Sequence, residues 1–129
     1  MSADYPNDLR YTKEHEWARV EGNVATIGIT HHAVHQLGDI TMVDLPKEGE
    51  AVRKGAVFGT VESVKAVSDL FSPVSGKVVK VNDPLSDTPE SVNEDCYDEG
   101  WMIQVEVSDL KELDGLMSAH QYEEYLKEQ

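Results

Sequence analysis

Of the residues in this chain with chemistry to offer, Lys65 stands in the most telling surroundings. Glu62-Ser63-Val64-Lys65-Ala66-Val67-Ser68 holds a single lysine between two short alternating stretches, Val57-Phe58-Gly59-Thr60-Val61 and Asp69-Leu70-Phe71-Ser72. Alternation on both sides of a polar segment predicts a β-hairpin over about 57–72 with Lys65 at its tip. An amine displayed there can be acylated by another enzyme, which turns a point charge into a tethered chemical group. A second candidate is the histidine group His31, His32 and His35, in which 31 and 35 lie one helical turn apart and could share a metal ion. No glutamate base stands between them as in a zinc-protease helix, and the nearby carboxylates would favour hard ions, so a solvated helix face is the plainer reading. Cys96 is the only cysteine. That excludes an intramolecular disulfide or a redox dithiol, and with no His-Asn pairing evident the thiol reads as a half-buried spectator. Any sulfur chemistry must come from outside the chain.

The elements that would position these residues are short. Glu16–Val20 and Val24–Ile29 read as strands joined by the turn Glu21-Gly22-Asn23, a first hairpin. Thr30 can cap a helix over His31–Leu37, which Gly38 ends. Asp39–Leu45 reads as a strand stopped by Pro46 and Gly49. After the lysine hairpin, Ser72-Pro73-Val74-Ser75-Gly76 breaks the chain and Lys77–Val81 alternates like a half-buried strand. Thr88 with Pro89 predicts a helix running to about Glu94. Trp101–Val107 is the last strand, and Asp109 and Ser118 open two short helices, the second with a Ser118/Gln121 capping box. Leu45–Val52 faintly echoes Ser72–Val79, each with Pro and Gly three apart before a valine, as two matching halves around the hairpin would have. Many short strands, frequent Gly/Pro turns and brief peripheral helices argue a small β-sandwich or flattened barrel, not a βαβ enzyme fold. Trp17 and Trp101 read as core or rim packing.

Composition narrows the classes further. At 129 residues with 40% hydrophobic content, one domain over 1–129 is expected. The excess of 25 acidic over 11 basic residues, net −14, makes nucleic acid and anionic membranes poor partners. Met1–Asp8 has neither the apolar core of a signal peptide nor the arginine-rich character of a transit peptide. No stretch approaches the ~18 apolar residues of a membrane span. The expectation is a cytoplasmic, monomeric protein with transient contacts.

An ordered set of segments resembles the glycine cleavage H-protein family: Lys13-Glu14-His15-Glu16-Trp17, Val24–Thr30, Leu37-Gly38-Asp39, Val43-Asp44-Leu45-Pro46, Val61–Ala66, Ser72–Gly76, Val81-Asn82, Val92-Asn93 and Gly100-Trp101. The resemblance covers nearly the whole length. It implies a mainly β barrel-sandwich hybrid of lipoyl/biotinyl-carrier type, with (R)-lipoate bound covalently at Lys65, and Glu62 and Gly76 as recognition features for the lipoate-attaching enzyme. It further implies a noncatalytic carrier. Lipoyl-Lys65 would take an aminomethyl group from the pyridoxal-phosphate glycine decarboxylase (P protein) and pass it to the folate-dependent aminomethyltransferase (T protein). Dihydrolipoyl dehydrogenase (L protein) would then reoxidise the arm. The loaded arm is implied to fold back into a cleft lined by Glu16, Gln36 and Asp69. Carboxylates at Glu16 and Asp69 have the right sign for the cationic cargo, while Gln36 stands where relatives often carry histidine.

Other readings make different demands. A lipoyl carrier of the same fold could donate lipoyl groups to other complexes. A biotin carrier would set its lysine between methionines, where Val64 and Ala66 stand here. A small metal-dependent enzyme built on His31, His32 and His35 would survive loss of Lys65 and fail on chelation, and a pure interaction module would be indifferent to both changes.

Overall fold

In the computed structural model, residues 5–128 are described; residues 1–4, half of the stretch examined for a leader, and residue 129 lie outside them. The first hairpin forms as expected, β2 (Glu16–Glu21) against β3 (Val24–Ile29), with register from Glu21↔Val24 to Glu16↔Ile29. Gly22 turns the corner at φ 63°, a left-handed conformation that costs glycine little. Outside β2 lies β1 (Arg10–Tyr11), a two-residue strand too short to leave a pattern in the sequence. On the far side of β3 come β9 (Ile103–Val107), β8 (Gly76–Val81) and β5 (Ala51–Val52), completing a six-stranded sheet in the order β1-β2-β3-β9-β8-β5. A three-stranded sheet, β4-β6-β7, is built from β4 (Ile40–Asp44), β6 (Val57–Ser63) and β7 (Val67–Phe71).

The two sheets share one core. Ala25, Ile27, Val78 and Val105 from the six-stranded sheet join Val43, Val61 and Leu70 from the three-stranded sheet in a single buried cluster. Each of the valine, isoleucine and leucine side chains contributes roughly 1.5–3 kcal/mol by leaving water. A second cluster gathers Leu9, Tyr11, Trp17, Ala119 and Tyr122, with Trp101 packed against it. It seats helix α3 (Ala119–Lys127), whose Tyr122 ring stacks on Tyr11 at 4.9 Å. The expected mainly β architecture is present as two sandwiched sheets with short helices outside them. No helix among the described residues is long and apolar enough to cross a membrane.

Most helix signals hold. Thr30 caps α1 (His31–Leu37) by accepting from Ala33 N–H, and Gly38 ends it at φ 78°. The Ser118/Gln121 capping box is made in full. Asp109 opens a short helix of 3-10 type, Leu110–Gly115, its side chain accepting from Lys111 N–H. The Thr88-Pro89 start is displaced by a turn: the Thr88 and Pro89 carbonyls accept from Ser91 and Val92 N–H, α2 proper spans Ser91–Glu94 and ends where expected, and the Thr88 hydroxyl donates to Pro84 O in a second 3-10 turn, Asp83–Ser86. The two echoed segments meet each other. Ala51 and Val52 pair antiparallel with Lys77 and Gly76, and Gly49 N–H donates to Val78 O while Val78 N–H donates to Glu50 O.

Trp17 is fully buried and lies across from Gly28, whose missing side chain makes room for the indole. A Cβ at Gly28 would come within 2.6 Å of the ring. Gly28→Ala is therefore expected to cost about 2 kcal/mol of stability in urea titrations followed by tryptophan emission; a change below about 0.5 kcal/mol would show that the indole relaxes freely.

Candidate functional site

The lysine hairpin is tighter than its seven-residue sequence signature. β6 and β7 run to Ser63 and Val67, leaving Val64, Lys65 and Ala66 as the connection. Ser63 holds this tip from inside: its N–H donates to Ala66 O, and its Oγ accepts from Lys65 N–H at 3.2 Å and Ala66 N–H at 3.1 Å. A serine hydroxyl that captures nearby backbone donors stabilises a turn in this way. The tip is also tied sideways, Val64 N–H donating to Asp39 O at 3.1 Å. Lys65 is exposed, and its methylenes lie along Gly38, with Cε 3.4 Å from where a Cβ there would sit. Among the described residues no hydrogen bond or ion pair holds the Lys65 ammonium. The backbone is fixed and the amine is free.

Strand register sorts the neighbouring side chains. Val61 and Leu70 point into the core, so their sequence neighbours face outward. Directly opposed residues share a face, which sets Met42, Glu62 and Val67 in one outer row next to the tip and Asp44, Thr60 and Asp69 in the next. With Ser63 and Ala66 a hydrogen-bonded pair, alternation turns the backbone groups of Val67, Asp69 and Phe71 away from β6 along the sheet edge. Val67 to Phe71 covers about 13 Å at ~3.3 Å per residue.

Glu16 waits at the far end of that edge. It is 1% exposed, not the surface acid its residue type suggests, and bridges the two sheets: Oε2 accepts from Phe71 N–H at 3.1 Å and Oε1 from the Thr12 hydroxyl at 2.8 Å. With Thr12, Phe71, Leu116 and Met117 it lines a cavity of about 240 Å³. Burial pushes its carboxyl up to about 8, against the opposing effect of those two hydrogen bonds. Asp69 and Gln36 do not join it in that lining; Asp69 is exposed on the outer face of β7 and Gln36 is exposed on α1. Glu62 is half-buried beside the tip. Gly76 belongs to the other sheet, between Val52 and Val107, where a Cβ would collide with the Glu106 carbonyl oxygen. Close packing of strands is thus a sufficient physical reason for glycine at 76.

The histidines do not share one solvated face. His31 and His35 are exposed, while His32 is half-buried with its ring 4.5 Å from that of His15 and its Nε2 buried without a hydrogen-bond partner among the described residues. His15, at φ 71°, bonds the Tyr122 hydroxyl through Nδ1 at 2.7 Å, and burial lowers its pKa to about 4. Sequence reasoning passed over His15, because nothing in a strand-flanking His-Glu-Trp run signals a left-handed residue. Among the described residues no group of three or more His, Cys, Asp or Glu side chains is placed to hold a metal ion. Cys96 is buried, deeper than the half-buried thiol expected.

A match to the family model described as Glycine cleavage H-protein spans residues 9–129. The chain belongs to the glycine cleavage H-protein family. It is 58% identical over 126 residues to the glycine cleavage system H protein of Anaeromyxobacter sp. (strain K), covering 98% of each chain. Identity to that of Myxococcus xanthus (strain DK1622) is 55% over 122 residues, with 95% of each covered. A crystal structure of a glycine cleavage system H protein from Mycobacterium marinum superposes with a TM-score of 0.87 at 38% identity, covering 95% of this chain and 98% of that one. As a family member the chain is a lipoyl carrier of the glycine cleavage system, a carrier subunit on the same mainly β fold.

Glu16 gives this family member a pH signature. The folded carboxyl keeps its proton to about pH 8 whereas the unfolded one releases it near 4.5, so the folded state holds more protons in between and loses stability as pH rises. Glu16→Gln lacks that titration. Urea titrations from pH 5 to 8 should show the variant gaining on the parent by on the order of 3 kcal/mol; a constant gap would mean that Glu16 is ionised throughout.

Proposed function

We propose that Lys65 is the residue through which this carrier works, acylated by (R)-lipoate on its ε-amine. The observation that carries this is the pairing of a fixed tip with an unengaged amine: Ser63 and Asp39 hold the backbone while the side chain stays exposed. Bound as an amide, lipoate supplies a disulfide ring that can take up the one-carbon amine unit cleaved from glycine and give it up again, the sulfur chemistry that one buried cysteine does not offer. The chain's own work is to present, steer and shield. Tethering keeps the cargo at a high effective concentration for each enzyme in turn.

Partners in this reading are glycine decarboxylase, aminomethyltransferase, dihydrolipoyl dehydrogenase and the lipoate-attaching enzyme, with the chain itself noncatalytic, monomeric, cytoplasmic and one domain over 1–129. Contacts with them are transient, since a carrier held tightly by one enzyme could not visit the next. Glu62, half-buried beside the tip, is a recognition feature for attachment, and Gly76 keeps the neighbouring sheet in register for the same event.

Shielding follows the open edge of β7. An arm leaving Lys65 can lie past Val67 and Asp69 toward Phe71 and the Glu16 cavity, with Asp69 and Glu16 as acids for a cationic cargo and Gln36 as a polar contact from α1. A cation reaching Glu16 would favour its ionised form, and its Thr12 and Phe71 donors hold the carboxylate in place.

Two results are expected. Incubated with lipoate, ATP and a lipoate-attaching enzyme, the parent gains one lipoyl mass on the Lys65 peptide and Lys65→Arg gains none; a lipoyl group elsewhere would move the site. With the arm loaded, Glu16→Ala should shed its cargo at least about tenfold faster than the parent, as loss of one charge-assisted bond implies; equal half-lives would remove Glu16 from that role.

A further inference from the structure

Asn93 sits on α2, remote in sequence from the hairpin, yet both ends of its side-chain amide are spent on the corner that supports Lys65. Its Nδ2 donates to Gly38 O at 2.8 Å and its Oδ1 accepts from Ile40 N–H at 2.8 Å. A C=O and an N–H two residues apart are what an adjoining strand would pair with, so the amide replaces a strand on the open edge of β4. The place matters because β4 is irregular there: pairing with β6 shifts between Ile40 and Met42. Between the two captured groups lies Asp39, whose carbonyl accepts from Val64 N–H, and the first captured residue, Gly38, is the one that Lys65 lies along. Val92, just before Asn93, is fully buried in the main core and anchors the short helix.

We propose that Asn93 is a positioning residue for Lys65: by clamping Gly38 and Ile40 it holds the Asp39 carbonyl where it fixes the hairpin tip for the enzyme that acylates the lysine. This rests on the reading of Lys65 as the attachment site. Without the clamp, two backbone groups beside a bulge lose their partners, and the tip samples conformations that the enzyme cannot engage. Such sampling weakens apparent binding in proportion to the competent fraction and leaves the bound reaction unchanged.

Asn93→Asp tests this, since it keeps the shape and the acceptor for Ile40 while setting a second acceptor against Gly38 O; Asn93→Ser serves if the aspartate variant is too unstable. Asn82→Asp is the control. Asn82 also donates to two carbonyls, Glu99 and Trp101, but no bond of its runs to the hairpin. The expected result for Asn93→Asp is an amide exchange rate at Val64 about tenfold faster, and a KM for lipoate attachment about tenfold higher with kcat within twofold. Asn82→Asp should lower Tm and leave both readouts as in the parent. The proposal is overturned if Val64 exchange is unchanged in Asn93→Asp, if KM stays within twofold, or if Asn82→Asp raises KM as much. Failure of the parent to take lipoate at Lys65 would instead overturn the attachment reading, and Val64 exchange would still decide whether the clamp exists.

Discussion

With Lys65 as the proposed attachment site, two opposed demands meet between Ser63 and Ala66: the backbone must be held still, and the lysine ammonium must be left alone. A flexible tip would make every partner spend binding free energy on ordering it, whereas an engaged ammonium would be withdrawn from acylation. The fold separates the two by using only backbone groups and one serine hydroxyl as restraints. Hydrogen bonds of this kind are modest singly, about 1 kcal/mol each, but several on a three-residue connection leave it little freedom. Glycine at 38 completes the arrangement, ending α1 in a left-handed turn and offering the lysine methylenes a bare surface.

The sandwich gives that tip a rigid base. Its three-stranded sheet buries its apolar face by sharing a core with the six-stranded sheet. Glu16 is the polar exception in this join. Apolar packing would stabilise the position more simply, so a carboxyl there, its pKa raised by burial, is a cost in stability, and the cargo role proposed for Glu16 would account for it. The second cluster around Tyr11, Trp17 and Tyr122 seats the C-terminal helix beside the start of β2, the strand on which Glu16 lies.

How much could be read beforehand depended on how local each signal was. The two hairpins, the Thr30 and Ser118 caps and the Gly38 stop were legible because each rests on alternation or on a cap a few residues long. The echo of Leu45–Val52 in Ser72–Val79 was visible, but that the copies pair with each other was not. The α2 signal at Thr88-Pro89 opens tight turns, Ser91 N–H to Thr88 O and Val92 N–H to Pro89 O, before the helix proper, a choice that no local rule ranks. Two-residue strands such as Arg10–Tyr11 carry no period to detect. At the site, Lys65 stood out by position, while the burial of Glu16 is a property of two sheets closing on it. The same holds for the His15 and His32 rings, brought together from separate elements, and for the Asn93 clamp, which spans more than fifty residues of sequence.

The most direct test of the account is a mass measurement on the lipoylated chain after incubation with glycine and a glycine decarboxylase. The account predicts that the peptide containing Lys65 gains the aminomethyl unit, that adding tetrahydrofolate with an aminomethyltransferase leaves it as the dithiol, two hydrogens heavier than at the start, and that dihydrolipoyl dehydrogenase with its oxidant then restores the starting mass. A Lys65 peptide that stays at the lipoyl mass throughout, under conditions that load a known H protein, would contradict it.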